Sequence, residues 1–312
     1  MKKIYHIEPV FTEAIWGGQQ LIRKYGWKTK LNNIGEAYNV IAMPGHLDCD
    51  VSETGEKLSV FYQKNKDLFK CDTEDFPVRA AMSCTTYPMS VQIHPDNNYA
   101  LTHDGRLGKP DGVYILEGEG TVEFGHFAKT RDEFRSMVKE QAWNSLLRYI
   151  NVAQGDFLDM PHGTLHALGA NMIYFEFSQN ADLTYRLFDY NRKQLDPKTG
   201  APRVLHIDKV CECVTIPQSE TAVSKIKKVE SRGCLITSFH SEPGVYSCGK
   251  IEVKEKGIYA RNQFYFLTVI EGEGNVQGID VKGGETLFIP CEFGDIEIKG
   301  NIELTYVTYL KP

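Results

Sequence analysis

The sequence contains no apolar run long enough to cross a bilayer, no excess of positive charge and no dense cysteine framework. Its 35 Lys and Arg face 41 Asp and Glu, a formal net charge of −6, so neither nucleic acid nor an anionic membrane is an expected partner. The missing apolar run excludes a transmembrane helix, and Met1-Lys-Lys-Ile-Tyr-His6 leads into structured-looking sequence without a signal-peptide pattern. The eight cysteines are scattered. Cys211-Glu-Cys213 is the only close pair; it lacks a second pair to complete a zinc site and reads as structural. A leaderless chain with free thiols is expected in the cytoplasm. What is present is ordinary for a soluble globular protein: 312 residues, 42% apolar and 24% charged, enough for two domains or one with an extension.

The organising stretch runs from Pro88 to Ala100. As a strand it puts Met89, Val91 and Ile93 on one face and Ser90, Gln92 and His94 on the other. A carboxamide oxygen and an imidazole nitrogen two residues apart converge above a sheet and suit a zinc-like ion with mixed N/O ligands. Upstream, Ile7–Phe11 reads as a strand, Trp16-Gly-Gly18 as a break before a helical 19–25, and 35–42 as a strand closed by a Pro44-Gly45 turn. The spacing of Leu58, Phe61, Tyr62 and Leu68 predicts a helix over 55–70, and 76–82 reads as a buried strand. Arg79 there is taken as solvated or paired.

After His94 the composition predicts a loop rich in Asp, Asn and Gly, then two strands over 113–125 joined as a Gly-rich hairpin. Thr130 and Glu133 form a capping box, and apolar residues at helical spacing extend one or two helices over 130–150. Gly155–Leu168 forms a turn, a short strand and a Pro-x-Gly-x-x-His corner that delivers His166. In 172–178, Ile173, Phe175 and Phe177 share one face, Tyr174 and Glu176 the other. His162 is read as a pocket-rim or solvated residue, and His103 and His126 as surface residues.

A weak repeat runs through the chain. Ile115-Leu-Glu-Gly-Glu-Gly120 recurs as Val269-Ile-Glu-Gly-Glu-Gly274, and Gly155-Asp-Phe-Leu-Asp-Met-Pro161 recurs loosely as Gly284-Glu-Thr-Leu-Phe-Ile-Pro290. This resembles the double-sheet jelly roll (double-stranded β-helix) of cupins: mainly β, with inserted helices and two cupin-like copies. The second copy has Asp295 where the first has His166, and no counterpart of the Gln-x-His strand. The expected division is a metal-binding catalytic domain over 1–228 and a cupin-like domain without ligands over 229–312.

Gln92-Ile-His-Pro-Asp, Gly108-Lys-Pro-Asp, Pro161-His-Gly-Thr-Leu-His and Asn180-Ala-Asp-Leu-Thr-Tyr-Arg resemble, in order, the motifs of type I phosphomannose isomerase (mannose-6-phosphate isomerase) in its short bacterial form. Trp16-Gly-Gly and Gly35-Glu-Ala-Tyr match its opening. The resemblance implies one zinc ion per chain on Gln92, His94, Asp111 and His166, carboxylates at Glu176 and Asp182, and a catalytic arginine at Arg186. The family carries Glu where Asp111 stands, with a larger residue in place of Gly112. Asp reaches roughly 1–1.5 Å less far, whereas zinc–oxygen bonds tolerate a few tenths of an ångström. Either the backbone moves inward at Gly112, or water intervenes, or another acid such as Glu117 substitutes; Asp111 is preferred because Glu117 lies deeper along its strand.

The implied reaction interconverts mannose 6-phosphate and fructose 6-phosphate through a cis-enediol. It needs a base near C2, for which Lys109, Glu176 and Asp182 compete, and a cation for the developing oxyanion, which Arg186 supplies. Lys109, Arg186 and Arg192 are the candidate substrate contacts. The expected partner is a small sugar phosphate, with the chain a monomer or homodimer. Two other classes stay open: a cupin that binds a sugar phosphate without turnover, and a metal-dependent cupin oxygenase, which would want more histidines than this set supplies.

Overall fold

The structure, a computed structural model, describes residues 2–197, 199–218 and 226–312. Alternating apolar residues and Gly-rich punctuation build a mainly antiparallel β protein with short inserted helices, the double-sheet jelly roll expected from the repeat. A six-stranded sheet runs in the order Phe157–Met160, Asp111–Glu117, Met172–Gln179, Val78–Thr85, Ile34–Val40, Val10–Gly18. A five-stranded sheet runs Leu147–Ala153, Glu119–His126, His166–Ala167, Val91–Ile93, Tyr185–Phe188. Val113, Ile115, Leu158 and Tyr174 from the first interleave with Val122, Phe124 and Val152 from the second to form the core between them. The outer face of the five-stranded sheet is covered by Phe134, Val138, Leu146 and Val210, carried by the inserted helices. No helix among the described residues is long and apolar enough to cross a membrane.

The second copy folds an eleven-stranded sheet over its own core of Ile251, Leu267, Ile289, Ile298 and Leu304. Its other face packs on the outer face of the six-stranded sheet. There Phe239 lies between Tyr114 and Phe157, ring centroids 4.7 and 4.8 Å away. Truncating such a buried aromatic costs about 3–5 kcal/mol. The same sheet takes in the first strand of the chain, Tyr5–Glu8, between Thr286–Ile289 and Asp50–Val51, so it crosses the expected division at residue 228.

Several local expectations are corrected. The strands Asp111–Glu117 and Glu119–His126 do not pair; they lie in different sheets. Gly118, at φ +97°, is a corner between sheets rather than a hairpin tip. In the second copy the equivalent Glu-Gly-Glu-Gly bends inside one continuous strand, Tyr265–Val276. The polar stretch after His94 is a helix, Asn97–Asp104, with Asp96 capping Tyr99 N–H at its start and Gly105 left-handed at its end. The segment expected to be helical to 150 becomes strand at Leu147. Trp16-Gly-Gly18 is the end of the strand Val10–Gly18, and the helix expected after it runs Gln20–Tyr25. The 91–93 strand is shorter than expected, so Met89 turns toward the inner core, away from Val91 and Ile93. His126 is buried, not surface-exposed, and its Nε2 lies 3.0 Å from the Thr215 carbonyl.

Candidate metal centre and active site

Three short strands of the five-stranded sheet set the floor of the site. Gln92 stands opposite His166 on one side and Arg186 on the other. Asp111 enters from the first residue of its strand in the facing sheet. One ligand atom each from His94, Asp111 and His166, all buried, lie within 4.8 Å of one another. Among the described residues this is the one group of three such side chains placed to hold a metal.

The donor chemistry fits a cation. His94 Nδ1 is 2.8 Å from the Leu183 carbonyl and His166 Nδ1 is 2.9 Å from the Thr164 carbonyl. A carbonyl only accepts, so each Nδ1 carries the proton and each Nε2 is left as the ligating nitrogen. His94 Nε2, buried and without a hydrogen-bond partner, faces Asp111 Oδ2 at 3.0 Å. In the neutral ring that is a lone pair against a carboxylate, stable only with a proton or a metal ion between them. Burial, then the proximity of the His94 ring, pushes His166 down to about 4, keeping its ring in the neutral form a metal needs.

A chain of alternating charge runs from this cluster into a cavity of about 730 Å³, its open mouth included. Lys109 Nζ bonds both Asp111 oxygens, at 2.7 and 2.5 Å, and Glu176 Oε1 at 2.8 Å. Arg79 bonds the same Glu176 oxygen and reaches Glu36 Oε1 at 3.2 Å, with Tyr38 beneath its guanidinium at 4.9 Å. Burial opposes the Asp111 charge, but Lys109 and His94 outweigh it and hold the carboxyl well below the usual range. Breaking a buried pair of this kind costs about 3–5 kcal/mol. The chain Glu36–Arg79–Glu176–Lys109–Asp111 begins and ends negative, so its net charge leaves room for a divalent cation.

Gln92, Lys109, Glu176, Asp182 and Arg186 all line the cavity. Asp182 is at the rim, with Oδ2 2.6 Å from His46 Nε2 and Oδ1 3.4 Å from Arg106. Arg192 does not line it; its guanidinium is taken by Asp189 and, at 2.6 Å, by the Pro88 carbonyl. Arg203, not singled out from sequence, does line it beside Arg186. Burial, then the neighbouring Arg186 charge, pulls Arg203 down to about 10, and burial lowers Arg186 as well. Arg203 also donates to Ser90 Oγ at 3.2 Å, which bonds Gln92 Oε1 at 3.1 Å and so ties the cationic end to the ligand strand. Arg79, taken from sequence as solvated or paired, is paired and buried. Its cross-strand neighbour is Ser178, two residues from Glu176. Glu117 pairs with Lys24 at the far end of its strand, away from the cluster. His162 lies outside the cluster, with its Nδ1 buried and unpartnered among the described residues. Asp295 makes an exposed ion pair with Arg232.

Two facing sheets with a buried His, Asp and His beneath a cavity of alternating charge define a cupin-type protein with a candidate metal centre. No family model matches the chain. Mannose-6-phosphate isomerase ManA of Bacillus subtilis is 32% identical over 308 residues, covering 95% of this chain and 96% of that protein. The mannose-6-phosphate isomerase of Streptococcus mutans is 28% identical over 314 residues, 95% of this chain and 97% of its own. The crystal structure of a Bacillus subtilis mannose 6-phosphate isomerase superposes with a TM-score of 0.92 at 29% identity, covering 98% of this chain and 99% of that one. An apo form from Salmonella typhimurium, 14% identical with a TM-score of 0.79, shares the fold. The chain belongs to the mannose-6-phosphate isomerase family.

Proposed function

We propose that this chain is an aldose–ketose isomerase interconverting mannose 6-phosphate and fructose 6-phosphate through a cis-enediol, with one zinc ion held by Gln92, His94, Asp111 and His166. The observation that carries the reading is the buried His94–Asp111–His166 group, tied through Lys109 to a cavity lined by Glu176 and Arg186. When bound, the ion supplies Lewis acidity toward the sugar oxygens.

The chain's own groups account for the rest. The isomerisation breaks the C2–H bond, forms a C1–H bond and moves a hydroxyl proton from O2 to O1. Glu176 and Lys109, in contact at 2.8 Å, are the proton-carrying pair: a carboxylate to accept at carbon and an ammonium to donate at oxygen. Arg79 fixes the orientation of Glu176. Asp182, engaged by His46 and Arg106 at the rim, positions the sugar. Arg186 and Arg203, the latter also paired with Asp189 at 2.9 Å, form the cationic end, where two buried guanidiniums lining the cavity favour an arriving phosphate. The second copy supplies none of these groups.

The two-His, one-carboxylate set also suits iron(II) chemistry, but Gln92 as a fourth donor and the family relationship favour isomerisation. A coupled assay on mannose 6-phosphate, with zinc-loaded and chelator-treated protein, tests the proposal. Turnover that depends on the metal supports it. Sugar-phosphate binding without turnover in the loaded protein would leave only a binding protein.

A further inference from the structure

The strand that carries Asp111 has two faces. Asp111, Val113 and Ile115 point between the jelly-roll sheets, while Gly112, Tyr114 and Leu116 point at the second copy. At Gly112 the second copy reaches the backbone itself. A Cβ there would lie 2.4 Å from Phe157 Cζ and 3.1 Å from the hydroxyl of Tyr246, which comes from the second copy. That hydroxyl is fully buried and has no hydrogen-bond partner among the described residues. The neighbouring strand is held at the same level. Asp159 is the cross-strand partner of Gly112, and its Oδ1 lies 3.2 Å from Nδ1 of His240, whose ring stacks on Tyr246 at 4.6 Å. The second copy therefore grips both strands at the residue next to Asp111.

We infer that Tyr246 is a positioning residue for Asp111: with Phe157 it fills the space left by the missing side chain of Gly112 and sets how far the short carboxylate reaches toward His94 and His166. Aspartate is one methylene shorter than glutamate, and metal–oxygen distances tolerate only a few tenths of an ångström. A shift of the strand by the depth of one oxygen atom is enough to matter. An unpartnered buried hydroxyl destabilises the fold, yet it stands where it bears on the ligand strand. The copy without ligands thus tunes the copy that has them. This rests on the proposed assignment of Asp111 as a ligand.

The test uses the full-length protein stripped of metal and titrated with cobalt(II), read by its absorption bands and by competition with a chelator, beside thermal unfolding. Tyr246→Phe removes one oxygen and keeps the ring. It is expected to leave the unfolding midpoint unchanged or higher, because a buried unpaired hydroxyl is gone, while weakening cobalt(II) about ten-fold and altering its bands. A purely structural role would move stability and affinity in the same direction. Gly112→Ala should also weaken binding, and adding Phe157→Leu should restore part of it by making room. Wild-type affinity and bands in Tyr246→Phe would overturn the inference while leaving the metal site standing. Wild-type protein that binds no cobalt(II) would overturn the site assignment and this inference with it.

Discussion

Glu117 and Glu271 close on a single ammonium: Lys24 Nζ lies 2.5 Å from the first carboxylate and 2.7 Å from the second. The two glutamates hold the same position in the two Glu-Gly-Glu-Gly repeats, so one lysine joins equivalent points of the two copies. Tyr25, the next residue, donates to the Ile270 carbonyl at 3.1 Å.

Lys24→Met should leave two carboxylates facing each other at the copy interface. Both are partly exposed, so the loss is modest, about 1 kcal/mol. Thermal unfolding should show a lower midpoint whose deficit shrinks at high salt. A salt-independent deficit would assign the effect to packing.

His166→Ala should abolish stoichiometric zinc by elemental analysis while the protein stays folded by circular dichroism. Retention of a full equivalent would mean that the metal sits elsewhere.

Asp111→Glu tests the short carboxylate. Asp111 is buried against Lys109 in a filled site, and a longer side chain crowds it. Zinc affinity and isomerase rate should both fall. No change in either would remove Asp111 from the ligand set.

Arg203→Met and Arg192→Met separate two candidates for the phosphate end. Arg203 lines the cavity and Arg192 does not. The first should raise KM for mannose 6-phosphate about ten-fold or more, the scale of one charge-assisted contact, and the second much less. The reverse order would assign the phosphate to Arg192.

His240 makes stability depend on pH. Burial lowers its pKa, but Asp159 and Glu242 outweigh burial and raise it above the ordinary value. The added stability is therefore full below the unfolded-state histidine pKa and is lost as pH rises through the raised one. His240→Gln should flatten that part of the midpoint-against-pH curve. An unchanged slope would place the titration elsewhere.

The strands of the candidate site were legible because their information is local. Gln92 sits on the strand Val91–Ile93 and His94 just past its end, and the Pro-x-Gly corner at 161–163 delivers His166 opposite Gln92. Asp111, Glu176 and Arg186 were reached through ordered motifs. Arg79, Glu36 and Arg203 were not legible, because their roles arise from contacts between segments distant in sequence: Arg79 meets Glu176 only through an antiparallel register within the six-stranded sheet. The helix Asn97–Asp104 did carry signals, a capping Asp96 and a closing Gly105, but its apolar content is too low to show a period. The glycines at 118 and 120 suit a hairpin and an inter-sheet corner equally, and only the partner strands decide between them.

The strand Tyr5–Glu8 bears on how the protein is made. Tyr5 finds its partner in Phe288, so this segment must wait for one synthesised much later. Until then its backbone edge is open, the condition under which nascent chains associate wrongly or engage chaperones. Contacts of such long sequence separation also slow the final closure. Synthesis of residues 1–228 alone would leave that edge permanently without its Thr286–Ile289 partner, and the aromatic face around Tyr114 and Phe157 without the cover of Phe239.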